Sequence, residues 1–270
     1  VSTRTLDAAD GNPIHLVDLG DAGASKTIVL VHGYGEHGGR YVERAQTFVD
    51  AGYRVLIPDV RGHGKSGGPR GHVMEFNTYL DDLGRVLDEV AEGSTLFLFG
   101  HSHGGLIVAT WLIERRSRVV RAALTSPFFG LGLKPPAWKE AAAKFLGGFL
   151  PKVSLPTEID PAHVSHDAAV VEAYKTDPLN HHVANARWYT EVVAAQARAL
   201  EGAPRIDLPI LVLQAGDDRL VAPAATRRWC DAAPEIVQYD EIEEAFHELF
   251  FEIDGQSHVD RVLDWFEAHN

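Results

Sequence analysis

Gly100-His101-Ser102-His103-Gly104 is the stretch on which the reading of this chain turns. It follows an apolar, strand-like run at residues 95–99 and precedes a helical stretch that opens at Gly105. A serine with a glycine two residues to either side, set between a strand and a helix, has the pattern of a nucleophile elbow. The turn is so tight that flanking side chains would collide, which is why the flanking positions are glycine. Its strain lifts the serine Oγ above the sheet, at the N-terminus of a helix whose dipole favours developing negative charge.

The surroundings of this stretch repeat its strand-then-helix rhythm. Largely apolar runs stand at 27–31, 53–57, 119–124 and 209–213, none of them alternating, with Arg54 and Arg121 the charged exceptions. That pattern suits strands buried on both faces of a parallel sheet. Helical stretches lie between them at 40–50, 78–91, 105–116 and 224–232. The alternation predicts an α/β chain with a mostly parallel, doubly wound sheet. Two short N-terminal runs, 3–6 and 13–19, are expected to add an antiparallel edge. The rhythm breaks over residues 127–204, where no strand-like run is visible and helical patches stand at 138–149 and 184–200. A loop of that length is unusual inside a compact domain, so it reads as a helical cap inserted into a core made of 1–126 and 205–270. The apolar stretches Phe128-Phe129-Gly130-Leu131 and Phe145-Leu146-Gly147-Gly148-Phe149-Leu150 either line a pocket or form the cap's own small core.

Composition narrows the partners. Of 270 residues, 45% are apolar and 23% charged, enough to bury a real core in an ordinary globular protein. With 38 acidic against 25 basic residues the formal charge is -13, which repels phosphate backbones and argues against nucleic acid. Anionic lipid is repelled too, so any membrane contact is expected to be transient, apolar and made through the cap. Cys230 is the single cysteine, so no intrachain disulfide forms, and the residue reads as packed in a helix. The first residues lack an apolar leader and no stretch approaches a membrane span, which makes a cytoplasmic location the expectation.

A serine needs a base, and the base an orienting acid. On sheets carrying such an elbow, the acid follows the serine in the chain and the histidine comes last. The run ending at Leu213 leads into Gln214-Ala215-Gly216-Asp217-Asp218-Arg219-Leu220-Val221, so Asp217 and Asp218 are both candidate acids. His247 follows the strand-like run 236–239 and is the expected base; His258 lies in a helical region and His269 is terminal. The oxyanion hole is expected to use the backbone N–H of His103 and that of Tyr34, in the loop His32-Gly33-Tyr34-Gly35-Glu36-His37. His101 and His103 form an H-x-H step, but no Asp-His pair follows and the elbow points the two rings apart. A metal is therefore not expected. His63 reads as a loop-stabilising residue, and His163, His166, His181 and His182 as residues of the cap.

The chain resembles the monoacylglycerol lipase and lysophospholipase group of α/β-hydrolases. The resemblance rests on His32-Gly33-Tyr34-Gly35-Glu36-His37 with Arg40-Tyr41, then Asp59-Val60-Arg61-Gly62-His63-Gly64-Lys65-Ser66-Gly67 and Pro69-Arg70-Gly71. It continues through the elbow with Gly105, Asp177-Pro178-Leu179, Asp218 and His247-Glu248-Leu249. It implies the α/β-hydrolase fold, a helical cap shaping an acyl tunnel, and hydrolysis of lipid esters bearing one acyl chain, without a cofactor. The group's Gln-Gly-x-x-Asp-x-Leu-Val pattern falls on Gln214 to Val221 and selects Asp218, although Ala215 stands where the group has glycine. It further implies a Glu36–Arg40 salt bridge that orders the oxyanion loop. His103 stands where the group often has methionine. A carbon–carbon bond hydrolase with the same triad, and a non-catalytic ligand receptor on this fold, are the competing readings.

Overall fold

The computed structural model describes residues 1–115, 118–132, 154–157 and 159–268. The chain begins with the antiparallel pair β1 (Ser2–Asp7) and β2 (Pro13–Leu19), which is the expected edge. Then come β3 (Lys26–Val31), α1 (Val42–Asp50), β4 (Arg54–Pro58), α2 (Asn77–Leu87), β5 (Thr95–His101), α3 (His103–Glu114) and β6 (Val119–Thr125). After β6 follow β7 (Ser154–Pro156), α4 (Ala168–Thr176), β8 (Val183–Asn185) and α5 (Ala186–Gly202). The chain closes with β9 (Ile210–Ala215), α6 (Pro223–Asp231), β10 (Val237–Ile242) and α7 (Gly255–Glu267).

Eight strands form one sheet in the order β1-β2-β4-β3-β5-β6-β9-β10, parallel from β4 to β10. Alternate residues of the central strands face opposite sides, as the two-residue repeat of a strand requires. Val29, Val31, Leu98 and Val212 join one apolar cluster with α2, α3, α5 and α6. Ile28, Leu30, Phe97, Phe99 and Leu213 join another with α1 and α7. The sheet is thus covered on both faces, which explains why its central strands read as largely apolar runs rather than alternating ones. The parallel part of the sheet starts at the centre with β3, steps outward to β4, and returns to β5 on the other side. The carboxyl ends of β3 and β5 therefore meet at the topological switch point, where open α/β sheets leave a crevice for ligands.

Three expectations need correction. The helix expected over 78–91 ends at Leu87, because the next N–H groups bond three residues back (Glu89 to Val86, Val90 to Leu87), which tightens the winding. The stretch expected to begin a helix at residue 40 starts with a 3-10 turn, Gly38–Tyr41, and α1 follows it. The insertion does contain strands: β7 pairs antiparallel with β8, three residues each, too short to register as a hydrophobic pattern. Phe128 and Phe129 are buried, their rings stacked on Trp188 and Trp229 at centroid distances of 6.5 and 4.6 Å, so they belong to the core. The patches expected at 138–149 and 145–150 lie outside the described residues. Among those described, no helix is long and apolar enough to cross a membrane.

Glycine at the elbow is a packing requirement as much as a turn requirement. A Cβ on Gly104 would stand 2.1 Å from the carbonyl oxygen of Val31 and 2.5 Å from that of His32, both rigid backbone atoms of β3 and its exit. Gly104 is what lets α3 lie against β3. We expect Gly104→Ala to destabilise the fold by at least ~1–3 kcal/mol, the usual range for overpacking. Thermal unfolding followed by circular dichroism tests this, and a variant melting at the wild-type temperature would contradict it.

Candidate active site

Ser102 sits between β5 and α3 with φ 50° and ψ -115°, one of two non-glycine residues with positive φ among those described. Such a conformation costs of order 1–3 kcal/mol and persists only where its surroundings enforce it. Three backbone bonds do so here: Ser102 N–H to Thr125 O (3.0 Å), and Ser102 O accepting from Leu106 N–H (3.1 Å) and Phe128 N–H (2.9 Å). The serine side chain does not cap α3. Its hydroxyl is left for other use at the N-terminus of a helix.

The turn after β9 places Asp218 beside His247. Asp218 Oδ1 accepts the N–H groups of Leu220 and Val221, both at 2.9 Å, so the turn after the strand holds its carboxylate in place. Its other oxygen, Oδ2, lies 2.7 Å from His247 Nδ1 and 3.3 Å from Gln214 Nε2. Asp217 instead points outward, half-exposed, and pairs with Arg219 at 3.0 Å. The geometry therefore joins Asp218, not Asp217, to His247. His247 is buried. Burial disfavours its charged form, but Asp218 outweighs this, helped by Glu248 and Glu36, and the imidazole pKa is raised above its usual value. Among the described residues no hydrogen bond joins Ser102 Oγ to His247, a link that often tightens only in a complex with substrate. His258 lies on α7, 3.4 Å from Asp254 and apart from this pair; His269 is outside the described residues.

On the other side of the serine, the N–H groups of Tyr34 and His103 have no hydrogen-bond acceptor among the described residues. Both belong to backbone at the carboxyl ends of β3 and β5. The Tyr34 loop is held by Glu36, whose Oε1 accepts Gly33 N–H at 2.7 Å and the Tyr41 hydroxyl at 2.8 Å. Arg40 bonds Glu36, as expected, and does more. Its guanidinium also makes two bonds to Glu248, at 2.8 and 2.6 Å, across 208 positions of sequence. Glu248 directly follows His247, so one largely enclosed arginine ties the Tyr34 loop to the His247 loop. Burial opposes ionisation of Glu36, yet the charge of Arg40 brings its pKa down to about 2. Glu248 is pushed up by burial and by the charge of Glu36, against the pull of Arg40.

Glu36, His101 and Glu248 offer ligand atoms within 4.8 Å of one another, spacing that could hold a cation. The chemistry of the set fits one poorly. Arg40 already occupies both carboxylates, and His101 Nδ1 is engaged with Thr125 Oγ1 at 3.0 Å. His101 is also held to its neutral form, its pKa lowered to about 3 by burial and by the nearby His247.

Sequence reasoning missed two features. One is the reach of Arg40 to Glu248, for which a lone glutamate after the histidine carries no signal. The other lies behind the oxyanion loop, where Tyr34 packs edge-on against His63, His103 and His181 at 5.1, 5.7 and 5.3 Å. His63 Nε2 and both ring nitrogens of His103 and His181 are buried without hydrogen-bond partners among the described residues. His63 is therefore more than a loop residue, and His181 of the insertion forms part of the wall behind the elbow. The Tyr34 hydroxyl donates to Val183 O at 2.7 Å, and His181 N–H bonds Gly35 O at 2.9 Å. His37 Nε2 meets Asp177 at 2.9 Å. Segment 177–185 is thus docked on the oxyanion loop.

Comparison with known proteins bears on this arrangement. The sequence matches the family described as serine aminopeptidase, S33, over residues 22–254. It is 35% identical to a monoacylglycerol lipase of Mycolicibacterium smegmatis over 258 residues, covering 90% of this chain and 88% of the relative. It is 30% identical over 245 residues to an uncharacterised abhydrolase domain-containing protein of Dictyostelium discoideum; that match takes in 88% of this chain but 26% of the longer protein. The crystal structure of Paleococcus ferrophilus monoacylglycerol lipase superposes with a TM-score of 0.89 at 31% identity, covering 95% of this chain and 99% of that one.

The histidine wall has a pH consequence. Burial lowers the pKa of His103 to about 3 and of His181 to about 4, and that of His63 well below its usual value. An unfolded histidine titrates near ~6.5, so between that pH and the folded values the unfolded chain binds more protons. The stability these neutral rings contribute is complete above pH ~6.5 and is lost as pH falls toward the folded values. We expect His103→Met to weaken this dependence, so that the melting temperature drops less between pH 7 and pH 4 than in wild type. Melting curves across that range decide it; an unchanged slope counts against the wall.

Proposed function

The chain belongs to the serine aminopeptidase S33 family of α/β-hydrolases, and from that premise we propose that it is a serine carboxylester hydrolase acting on single-acyl-chain lipid esters, monoacylglycerol or lysophospholipid. The observation that carries this reading is the bond from Asp218 to His247 beside a strained, uncapped Ser102, with the Tyr34 and His103 N–H groups unpaired. The monoacylglycerol lipase relatives support the substrate class.

In the mechanism we propose, Ser102 Oγ attacks the ester carbonyl while His247 Nε2 takes its proton. Asp218 fixes the tautomer by holding the proton on Nδ1 and stabilises the imidazolium. Tyr34 N–H and His103 N–H bind the oxyanion, each such donor being worth ~10²–10³ in turnover. His247 then gives the proton to the leaving alcohol, and water, activated in turn by His247, releases the acid from the acyl-enzyme. These residues complete the cycle without a cofactor. Residues 127–204 act in this reading as the cap over a core of 1–126 and 205–270. Its support is the docking of 177–185 on the oxyanion loop. Any membrane contact during lipid uptake would be transient and made through that cap. A cytoplasmic setting suits Cys230, the single cysteine, which is buried and free.

Initial rates on p-nitrophenyl esters of increasing acyl length test the proposal. Wild type should cleave them, and the preferred length reports the acyl site. Ser102→Ala and Asp218→Asn should each lose on the order of 10⁴-fold in kcat, while Asp217→Asn stays near wild type. Because the pKa of His247 is raised, the acid limb of kcat/KM should lie above pH ~6.5, with activity falling as pH drops through it. Full activity in Ser102→Ala would overturn the assignment.

A further inference from the structure

The loop that carries His247 is closed by a second buried carboxylate. Glu252 Oε1 accepts Phe246 N–H at 2.6 Å, bridging six residues and enclosing His247 between its two attachment points. The same carboxylate faces the 127–204 insertion. Its Oε2 accepts His166 N–H at 3.1 Å and lies 3.5 Å from Ser165 Oγ, and its Oε1 lies 3.0 Å from His166 Nδ1. Further contacts join the same two segments. Val164 O accepts Glu248 N–H at 2.9 Å, and Ser165 Oγ donates to Phe251 O at 2.8 Å. The His166 ring stacks on Phe246 with centroids 3.7 Å apart.

Residues 164–166 thus grip the backbone immediately before and immediately after His247. The His247 side chain has a single hydrogen bond among the described residues, to Asp218 Oδ2. One bond at Nδ1 sets the tautomer but does not by itself fix where Nε2 points. The position of Nε2 must then come from the backbone on either side.

We propose that Glu252 is a positioning residue that makes placement of the His247 base conditional on docking of segment 164–166. Placement of the insertion and readiness of the base are then one event. The inference rests on the reading of His247 as the general base. Glu252 touches neither substrate nor reacting atoms; it acts through Phe246 N–H. Misplacement of a base by about an ångström costs up to ~10²-fold in rate, so loss of this grip should appear in kcat rather than in binding.

The test compares wild type, Glu252→Ala, Glu252→Gln and the double variant Ser165→Ala/His166→Ala on p-nitrophenyl butyrate. Alongside it, the rate of covalent labelling of Ser102 by a fluorophosphonate is measured. The double variant removes the side-chain part of the grip, the Ser165 hydroxyl and the His166 ring, and keeps the backbone bonds and Glu252 bonded to Phe246, so it is the milder variant and the one expected to stay folded if Glu252→Ala does not. We expect the double variant and Glu252→Ala to lose on the order of 10- to 100-fold in kcat with little change in KM. Labelling should slow in parallel, and Glu252→Gln, which keeps an acceptor for Phe246 N–H, should recover most of the loss. A folded double variant with wild-type kcat, or a change confined to KM, overturns the proposal and leaves the ester-hydrolase reading intact. If wild type neither hydrolyses the ester nor labels, it is that underlying reading which fails.

Discussion

The site depends on the Arg40 guanidinium, held between Glu36 and Glu248 beneath the crevice at the head of the sheet. All three groups are buried, and taking charges out of water is costly unless each is paired and hydrogen-bonded. That condition is met closely here: Glu36 receives Gly33 N–H and the Tyr41 hydroxyl besides Arg40, and Glu248 takes two guanidinium bonds. The guanidinium is also flanked by the rings of Phe251 and Tyr174, at 4.6 and 5.1 Å. Removing one partner from such a set typically costs about 3–5 kcal/mol, because the charges left behind have no water to turn to. The triad is therefore poor evidence of net stabilisation and good evidence of constraint. It gives the Tyr34 loop and the His247 loop a single mutual geometry.

The triad also sets the charge around the base. One cation against two carboxylates leaves a net negative balance next to His247, adding to the Asp218 carboxylate in favouring the imidazolium. The sheet supplies the rest of the geometry. Because β3 and β5 leave the switch point side by side, the Tyr34 loop comes close to Ser102: a Cβ on Gly33 would stand 3.3 Å from the serine Cβ. Gly104 allows the approach by having no Cβ to strike Val31 O. Below His247, Phe250 stacks on Phe99 at 4.7 Å, so the base loop rests on the same strand, β5, that carries the serine.

Much of this was legible in the sequence, for identifiable reasons. A strand covered on both faces is apolar at most positions, so β3, β4, β5, β6 and β9 stand out as largely apolar runs despite Arg54 and Arg121. The elbow is legible because its glycines answer a steric demand of the backbone, which leaves a trace in residue type. The choice between Asp217 and Asp218 was not legible from the residues themselves, since both stand at the end of β9. The structure separates them by the turn bonds from Leu220 and Val221, which hold only the second carboxylate inward. The Arg40–Glu248 bond, spanning 208 positions, left no local pattern, and neither did the three-residue pairing of β7 with β8. Contacts of that kind depend on how loops meet, and a loop's sequence says little about its neighbour.

The histidines around Tyr34 show how far residue type alone can mislead. His101 and His103, two positions apart, invite a metal reading, yet their rings diverge to different tasks. His101 turns to Thr125 and lies 4.8 Å from the His247 ring, while His103 turns into the wall with Tyr34, Tyr79 and Trp188. A neutral imidazole there packs as a flat, slightly polar ring against other aromatic edges, at the cost of buried nitrogens that find no partner. The backbone N–H of this same residue, next to Ser102 in the chain, has no acceptor among the described residues, so the charge state of the ring and the polarity around that N–H are coupled through one residue.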